Sequence, residues 1–484
     1  MRYTQKVVII GGGISGLACA YRLRQLGVPC LVLEAEAHPG GVIATARRDG
    51  YLFEMGPQCP RFPTLVWQLV QELRLKDEFV AGDPAVKRYL YRYGALHPAP
   101  FSPGSLLGSK LVSLSSKWRV LTEALRTTQP PPGEETLAEF VTRKFGADLV
   151  DNLADPIIST IFFADAYKMG MQSAFPALVE WERNHGSLVR GAIRARNTRR
   201  NKVASDGTSA SVNGTRNPKS MKVTDSLPSL GSFRSGMARL PERLAEELGG
   251  DIRYGVRVES VAPIGVGWQL ALEDGERITT DQIVLAVPAY EAARMLDRSR
   301  PDLARELQGI EYAPMGGVAS GYDRSQVKNS LEGFGFMIPR KEGFKTICTF
   351  WNSSLFPERA PLGKVLITSF VRCETAETDA IDDATFARGI EAENTSILGI
   401  AGAPAARQVW RQRRALPQYN VGHSKRVEAI QQILPTVSHL HLAGNYLQGR
   451  SIGDCVELAF QVAEKAHSQV AEVNIQPVSR SSEG

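Results

Sequence analysis

Six residues near the start of the chain have the types and spacing to hold a phosphate. Gly11-Gly12-Gly13-Ile14-Ser15-Gly16 satisfies G-x-G-x-x-G through Gly11, Gly13 and Gly16. Gly11 allows a tight turn, Gly13 lets backbone approach a pyrophosphate, and Gly16 lets a helix pack closely on a strand. The amides and positive end of that helix then face the phosphates. Glu34 follows Gly13 by 21 residues, where a carboxylate accepts ribose hydroxyls. Together these residues predict a dinucleotide site, with Ala35 beside the acid.

The elements that must position them are legible around them. Lys6–Ile10 is a short β-branched run that fits a buried parallel strand. Leu17–Leu26 has helical spacing and stops at Gly27, and Cys30–Leu33 is a second strand ending on Glu34. A second glycine pair, Gly40-Gly41, precedes Val42, as in flavoproteins of the glutathione-reductase and amine-oxidase types. Glu54-Met55-Gly56-Pro57 has the character of a flavin cradle. Near the other end, Leu440–Ala443 reads as a strand, followed by Gly444-Asn445, then Gly449–Asp454 and a helix from Cys455. The expected cofactor is FAD, in a site assembled from both ends of the chain.

Composition bounds the rest. A chain of 484 residues, 43% hydrophobic and 22% charged, is globular and long enough for two or three domains. A net charge of +6 is too mild for a nucleic-acid partner, and none is expected. No run of 18 apolar residues occurs, so no spanning helix is expected. The first strand begins by Lys6, so neither a secretion signal nor an Arg-rich transit peptide is expected. Cys19, Cys30, Cys59, Cys348, Cys373 and Cys455 form no CxxC pair, so free thiols in a reducing compartment are expected and a metal site is not. Arg190 to Lys222 holds nine Lys/Arg against Asp206 alone and is poor in large apolar residues. Residues 200–228 therefore read as a basic mobile loop, and 476–484 as a disordered tail.

Further segments resemble one family over nearly the whole length. They include Ala95-Leu96-His97-Pro98, Phe233-Arg234 with Leu240-Pro241, Leu355-Phe356-Pro357 with Arg359-Ala360-Pro361, Leu416-Pro417-Gln418-Tyr419 with Gly422-His423, and Ala443-Gly444-Asn445-Tyr446 with Ser451-Ile452-Gly453-Asp454-Cys455. The chain resembles the oxygen-dependent protoporphyrinogen oxidases of the amine-oxidase-like flavoproteins. The last two segments separate it from monoamine oxidases and carotenoid desaturases.

The fold class that this resemblance implies is α/β with α+β. It comprises a Rossmann-like FAD-binding domain, a substrate domain with a mixed or antiparallel sheet, and an inserted helical membrane-binding region. The expected division is 1–85 (FAD-binding, with the start of the substrate domain), 86–200 (helical insertion), 200–228 (basic loop), 229–290 (FAD-binding), 291–415 (substrate domain), 416–475 (FAD-binding) and 476–484 (tail). Phe101–Leu125 and Thr136–Arg190 read as helices. Leu106, Leu107, Leu111, Leu114, Trp118 and Val120 near Lys110, Lys117 and Arg119 suit a monotopic surface contact.

The implied activity is oxidation of protoporphyrinogen IX to protoporphyrin IX, six electrons in three two-electron steps, with dioxygen as acceptor and hydrogen peroxide as product. Oxidation of coproporphyrinogen III, or of an amine or polyene, is the alternative. By position, Arg88 binds a substrate carboxylate, Phe334 and Met337 sandwich the macrocycle, and Phe370 is a further contact. Gly56, Pro57, Gln58 and Cys59 are carried over as flavin contacts, Val258 as a contact to the adenine or ribose part, and Arg450, Ser451 and Ile452 as contacts at the C-terminal turn. No catalytic acid–base residue is expected, and His97 and His423 read as structural. The partners implied are the porphyrinogen, dioxygen, an anionic membrane surface, a haem-pathway partner enzyme and a second copy of the chain. The implied location is cytoplasmic, peripheral on the cytoplasmic face of a membrane. Two departures stand out. Ser159-Thr160-Ile161-Phe162-Phe163-Ala164-Asp165 lacks both glycines of the family pattern, and Arg372 replaces part of a Gly-Gly pair, either to serve a second propionate or, as the favoured expectation, to face solvent.

Overall fold

The apolar run before the glycines is a strand covered on both faces: Val7, Val8 and Ile9 are fully enclosed. The computed structural model describes residues 4–206, 230–373 and 380–475. Its strands are, in chain order, β1 (Thr4–Ile10), β2 (Cys30–Leu33), β3 (Thr45–Arg48), β4 (Tyr51–Glu54), β5 (Phe79–Ala81), β6 (Arg88–Arg92), β7 (Ala95–Pro98), β8 (Gly231–Phe233), β9 (Ile252–Arg253), β10 (Val258–Ile264), β11 (Gly267–Leu272), β12 (Arg277–Leu285), β13 (Tyr312–Asp323), β14 (Gly335–Met337), β15 (Thr346–Trp351), β16 (Lys364–Arg372), β17 (Ala406–Pro417) and β18 (Leu440–Leu442).

The first sheet runs β10-β11-β12-β1-β2-β9, with β18 also paired to β12. Its central strands are parallel, with Ile9 opposite Val32 and Val284, and Leu285 opposite Leu442. This brings the C-terminal ends of β1, β2, β12 and β18 to one edge. The helices Ile14–Gln25, Arg239–Leu248 and Ile452–Ile475 cover one face. Ala18 and Ala20 meet Ala459, Ala463 and Ala466 in the same core, small residues that allow close helix packing. The helices Ala289–Leu296 and Pro301–Gln308 cover the other face through Leu296, Leu303 and Leu307. The sequence reads Ile252–Val258 as one strand. The structure divides it into β9 and the start of β10, because Gly255 sits at φ +69 and turns the chain.

The second sheet is β17-β13-β16-β15-β14-β6-β7, antiparallel except where β14 runs parallel to β6. Residues 88–98, grouped above with the helical insertion, are two strands of this sheet. The helices begin at Pro103, and those that follow include Leu114–Leu121, Leu137–Phe145, Asp155–Phe162, Pro176–His185 and Leu188–Asp206. The last runs through 200–206; residues 207–229 and the tail 476–484 lie outside the described residues. Lys144, 2% exposed, pairs with Glu123 at 3.2 Å and Glu182 at 3.1 Å and ties three of these segments together. Arg340 bonds Asp155 and Asp165, and Lys341 bonds Asp151, which fasten the helices to the second sheet. Leu111 is buried, whereas Leu114 and Trp118 are exposed. Among the described residues no helix is long and apolar enough to cross a membrane.

Candidate flavin and substrate site

The glycine turn joins β1 to the helix Ile14–Gln25. The Gly11 amide donates to Leu33 O at 2.8 Å, which brings the end of β1 beside the end of β2. A Cβ on Gly16 would lie 1.9 Å from Gly11 O, and one on Gly12 would lie 2.9 Å from Glu34 Oε2. A Cβ on Gly13 would meet nothing within 4 Å. The turn is closed on its protein side and open at Gly13, the form a pyrophosphate requires. Gly13 caps the helix with no side-chain bond, and no acid stands in the first turn, so its amides remain available to an anion.

The other predicted residues gather around this edge. Gly40 bridges to Gly13, and Gly41 and Val42 follow it, both exposed. Ile14, Ser15 and Gly16 are buried in the first turn of the helix, and Ala35 is half-buried next to Glu34. The Glu34 carboxylate accepts from the Gly12 amide and, at 2.8 Å, from the Glu36 amide. The Val256 amide donates to Glu34 O at 2.9 Å, which places Val258 two residues from the same strand end. Gly56 packs on Val42 O, and Pro57 follows it. Gln58 bonds Glu54 O and Gly56 O and accepts from Asn352, tying this loop to the second sheet. Burial pushes the Cys59 thiol up to about 11, against the pull of nearby Arg88 and Arg359.

From the other end of the chain, Gly444 follows β18, and the Ala443 amide bonds Leu285 O. Ser451 and Asp454 cap the helix Ile452–Ile475 reciprocally, the Ser451 amide reaching Asp454 Oδ2 at 3.0 Å and the Asp454 amide reaching Ser451 Oγ at 3.1 Å. Cys455 packs into the same core as Ile14, Leu17 and Ala18. The two chain ends therefore meet at one strand edge, the crevice where open α/β sheets bind nucleotides. These residues fit the adenine, pyrophosphate and isoalloxazine parts of FAD.

The second sheet supplies an apolar wall. Register aligns Arg88 with Gly335, Leu90 with Met337, Met337 with Cys348, and Cys348 with Phe370. Strand pleating then puts Arg88, Met337, Cys348, Phe350, Phe370 and Trp410 on one face. Phe334, just before β14, rests edge-to-face on Phe350, which meets Phe370, which meets Trp410. The Arg88 guanidinium lies over Phe334, 4.5 Å from its centroid, and bonds only backbone, Pro84 O and Val86 O. No carboxylate pairs with it among the described residues. Burial lowers its pKa, partly offset by Cys59. The four predicted substrate contacts, Arg88, Phe334, Met337 and Phe370, thus share one surface.

Sequence reasoning missed several neighbours. Phe163 sits at φ +49 and packs on Phe370 at 5.1 Å, so the departure at 159–165 builds a second aromatic side to the wall. Arg372 is half-buried: it shares the face of Phe370, its Nη2 is enclosed without a hydrogen-bond partner, and Arg340, Asp155 and Asp165 stand near enough to act on its charge. His423 stacks on Tyr419 at 4.2 Å, and burial followed by Arg450 holds it down at about 4. His97 contacts Arg92 O within the β6–β7 hairpin. Spacing carries no signal for Phe350 or Trp410, because such partners are set by register between distant strands.

Comparison with known proteins agrees with this geometry. Residues 14–467 match the family described as flavin containing amine oxidoreductase. The chloroplastic protoporphyrinogen oxidase of Oryza sativa subsp. japonica is 32% identical, over 96% of this chain and 88% of that protein. The coproporphyrinogen III oxidase of Bacillus subtilis (strain 168) is 27% identical, over 93% of this chain and 95% of that protein. A solved structure from Exiguobacterium sp. 255-15, described as a protoporphyrinogen oxidase, superposes with a TM-score of 0.77 at 23% identity, covering 97% of this chain and 100% of that one. With the glycine turn, the two-ended cradle and these matches in hand, the chain belongs to the flavin containing amine oxidoreductase family, as an FAD-dependent oxidoreductase on its protoporphyrinogen oxidase branch.

Proposed function

We propose that the chain oxidises a porphyrinogen to the porphyrin, removing six electrons in three steps, with dioxygen as acceptor and hydrogen peroxide as product. Protoporphyrinogen IX is the first candidate and coproporphyrinogen III the second, each named in a relative that aligns over most of the chain. One observation carries this: a guanidinium without a carboxylate partner stands at the end of a wall of Phe334, Met337, Phe350 and Phe370. A flat apolar macrocycle edged by propionates has the complementary chemistry. FAD, when bound, supplies the two-electron redox chemistry. Arg88 orients the substrate by a charged, two-pronged contact. The aromatic wall packs the ring and keeps out water. Segments 1–85, 229–290 and 416–475 form the FAD-binding domain in this reading, and 291–415 the substrate domain.

Anaerobic mixing with porphyrinogen tests the proposal. Loss of flavin absorbance, then red porphyrin fluorescence on admitting air, is expected. Unchanged flavin absorbance with both porphyrinogens, and bleaching by an amine instead, would overturn it.

The helical region is read as a membrane-surface contact. Leu114, Trp118 and Leu121 are 83%, 67% and 56% exposed, at a spacing that keeps them on one stripe of their helix with Lys117 and Arg119 beside them, and Leu125, 82% exposed, follows that helix. Apolar area with flanking cations supports docking on an anionic cytoplasmic leaflet. Association with a haem-pathway enzyme or with a second copy of the chain belongs to the same reading.

A further inference from the structure

Arg450 is held in a column of rings. His423 stacks on Tyr419 at an interplanar angle of 15°, Arg450 Cζ lies 4.1 Å from the Tyr419 centroid, and its other neighbour is Phe162, 4.5 Å from the same atom. The Tyr419 hydroxyl accepts from the Gly449 amide at 3.0 Å and donates to Asn445 O at 2.8 Å, so the ring that carries the guanidinium is fixed. Two rings lie against the guanidinium, at 4.1 and 4.5 Å from Cζ, and neither is a hydrogen-bond acceptor for its N–H groups in the plane. Of its five N–H donors, one reaches Pro417 O at 3.4 Å. No carboxylate pairs with Arg450 among the described residues. Burial brings its pKa down to about 10, with Tyr419 alone opposing. A half-buried cation without a counter-ion is a place where an anion is favoured.

Arg372 is the competing cation on the same sheet. Its surroundings already hold Asp155 and Asp165, both bonded to Arg340. That cluster is balanced, whereas the setting of Arg450 is not. Arg450 is linked to the wall through the chain: its partner Phe162 is followed by Phe163, which packs on Phe370. The strand of Phe370 is three places along the sheet from that of Arg88, about 14 Å at the usual strand spacing. This is the breadth of a tetrapyrrole core rather than of one side chain.

We infer that Arg450 is a second carboxylate anchor of the substrate chamber, so that a porphyrinogen carrying carboxylates on opposite edges of the ring gains a contact there that one carrying them on a single edge does not. The inference rests on the porphyrinogen reading and makes Arg450 a specificity-determining residue, in addition to its backbone position at the FAD turn.

The test compares Arg450→Met and Arg450→Lys with the unaltered FAD-loaded protein. Coproporphyrinogen III, with four propionates, and protoporphyrinogen IX, with two on one edge, are the substrates. Binding of the two porphyrin products is followed separately by fluorescence, together with the flavin spectrum and midpoint potential. Arg450→Met is expected to lower the ratio of kcat/KM for the four-propionate over the two-propionate substrate by about 10–100-fold, the usual worth of one charged hydrogen-bonded contact. The ratio of the porphyrin affinities should fall with it, and Arg450→Lys should recover part of both. An unchanged ratio overturns the inference. So does a shifted flavin potential or lost FAD occupancy with the ratio intact, which would assign Arg450 to the cofactor. If the unaltered protein oxidises neither porphyrinogen, the functional reading fails, while the porphyrin-binding ratio still decides the role of Arg450.

Discussion

Glu54 and Arg359 form an ion pair at 3.2 Å in which each side chain is 1% exposed. Glu54 ends β4 beside the flavin cradle, and Arg359 follows the second sheet's β15 and bonds Ser232 Oγ and Phe233 O. Glu54 is further held by Thr45 Oγ1 and the Met237 amide. The pair clamps the flavin-side loop to the substrate sheet. Arg359→Met leaves a buried carboxylate without its cation and should destabilise the protein by about 3–5 kcal/mol in denaturant unfolding. A loss below about 1 kcal/mol would show that water or another group compensates.

Gly13 and Gly16 should respond to alanine in opposite ways. Gly16→Ala drives a methyl into Gly11 O and should prevent soluble folding. At Gly13 there is room for the methyl, and the backbone at φ −74 suits alanine. Gly13→Ala should therefore fold with an apo-protein Tm close to that of the unaltered chain and lose FAD affinity at least about tenfold, because the methyl occupies pyrophosphate space. Full FAD retention by Gly13→Ala would remove this turn from the cofactor site.

Arg88→Ala should raise KM for porphyrinogen about 10–100-fold while FAD stays bound, since the lost contact is one charged hydrogen-bonded pair. Steady-state kinetics with a flavin absorbance measurement decides it. Unchanged kinetics would take Arg88 out of the substrate site.

The helical insertion should be acid-labile. Burial by itself raises the Glu182 carboxyl, but bonds from Arg143, Thr128 and Lys144 outweigh it and hold it down at about 2, against an ordinary value of 4.5. A depressed carboxylate stabilises the fold fully above its unfolded pKa and loses that contribution as pH falls from about 4.5 toward 2. Glu182→Gln should be less stable than the parent at pH 7, and the gap should shrink across that window. A gap independent of pH in thermal melts would mean that Glu182 acts by packing alone.

Vesicle sedimentation tests the exposed stripe. Replacing Leu114, Trp118, Leu121 and Leu125 together by serine should abolish binding to vesicles containing phosphatidylserine without lowering Tm, because these side chains cover no core. Equal binding by the parent and the variant would locate membrane contact elsewhere or nowhere.

Much of the flavin cradle was legible before folding. Gly11 to Gly16 and Glu34 lie within one βαβ unit, so local spacing encodes their geometry. The sequence also reads Gly317–Tyr322, Lys345–Trp351 and Lys364–Val371 as sheet strands, and they fall within β13, β15 and β16 but for one residue at the start of β15, the last two being apolar runs rich in β-branched residues. The break at Gly255 was less visible, since a glycine inside an apolar run gives no sign of its φ.

The sequence by itself determined a nucleotide turn and the family, and the resemblance singled out Arg88 as the candidate carboxylate anchor. Only the tertiary structure decided which charges are left without partners. Arg372 reads as a surface residue, yet it is half-buried and feels Asp155 and Asp165 from a distant part of the chain. Arg450 reads as one more residue of a glycine turn, yet it lies between Tyr419 and Phe162, rings from two other parts of the chain. Spacing reports neighbours within a turn of helix or a pair of strands, whereas the cost of an uncompensated charge depends on everything packed around it, and that is assembled from the whole length of the chain.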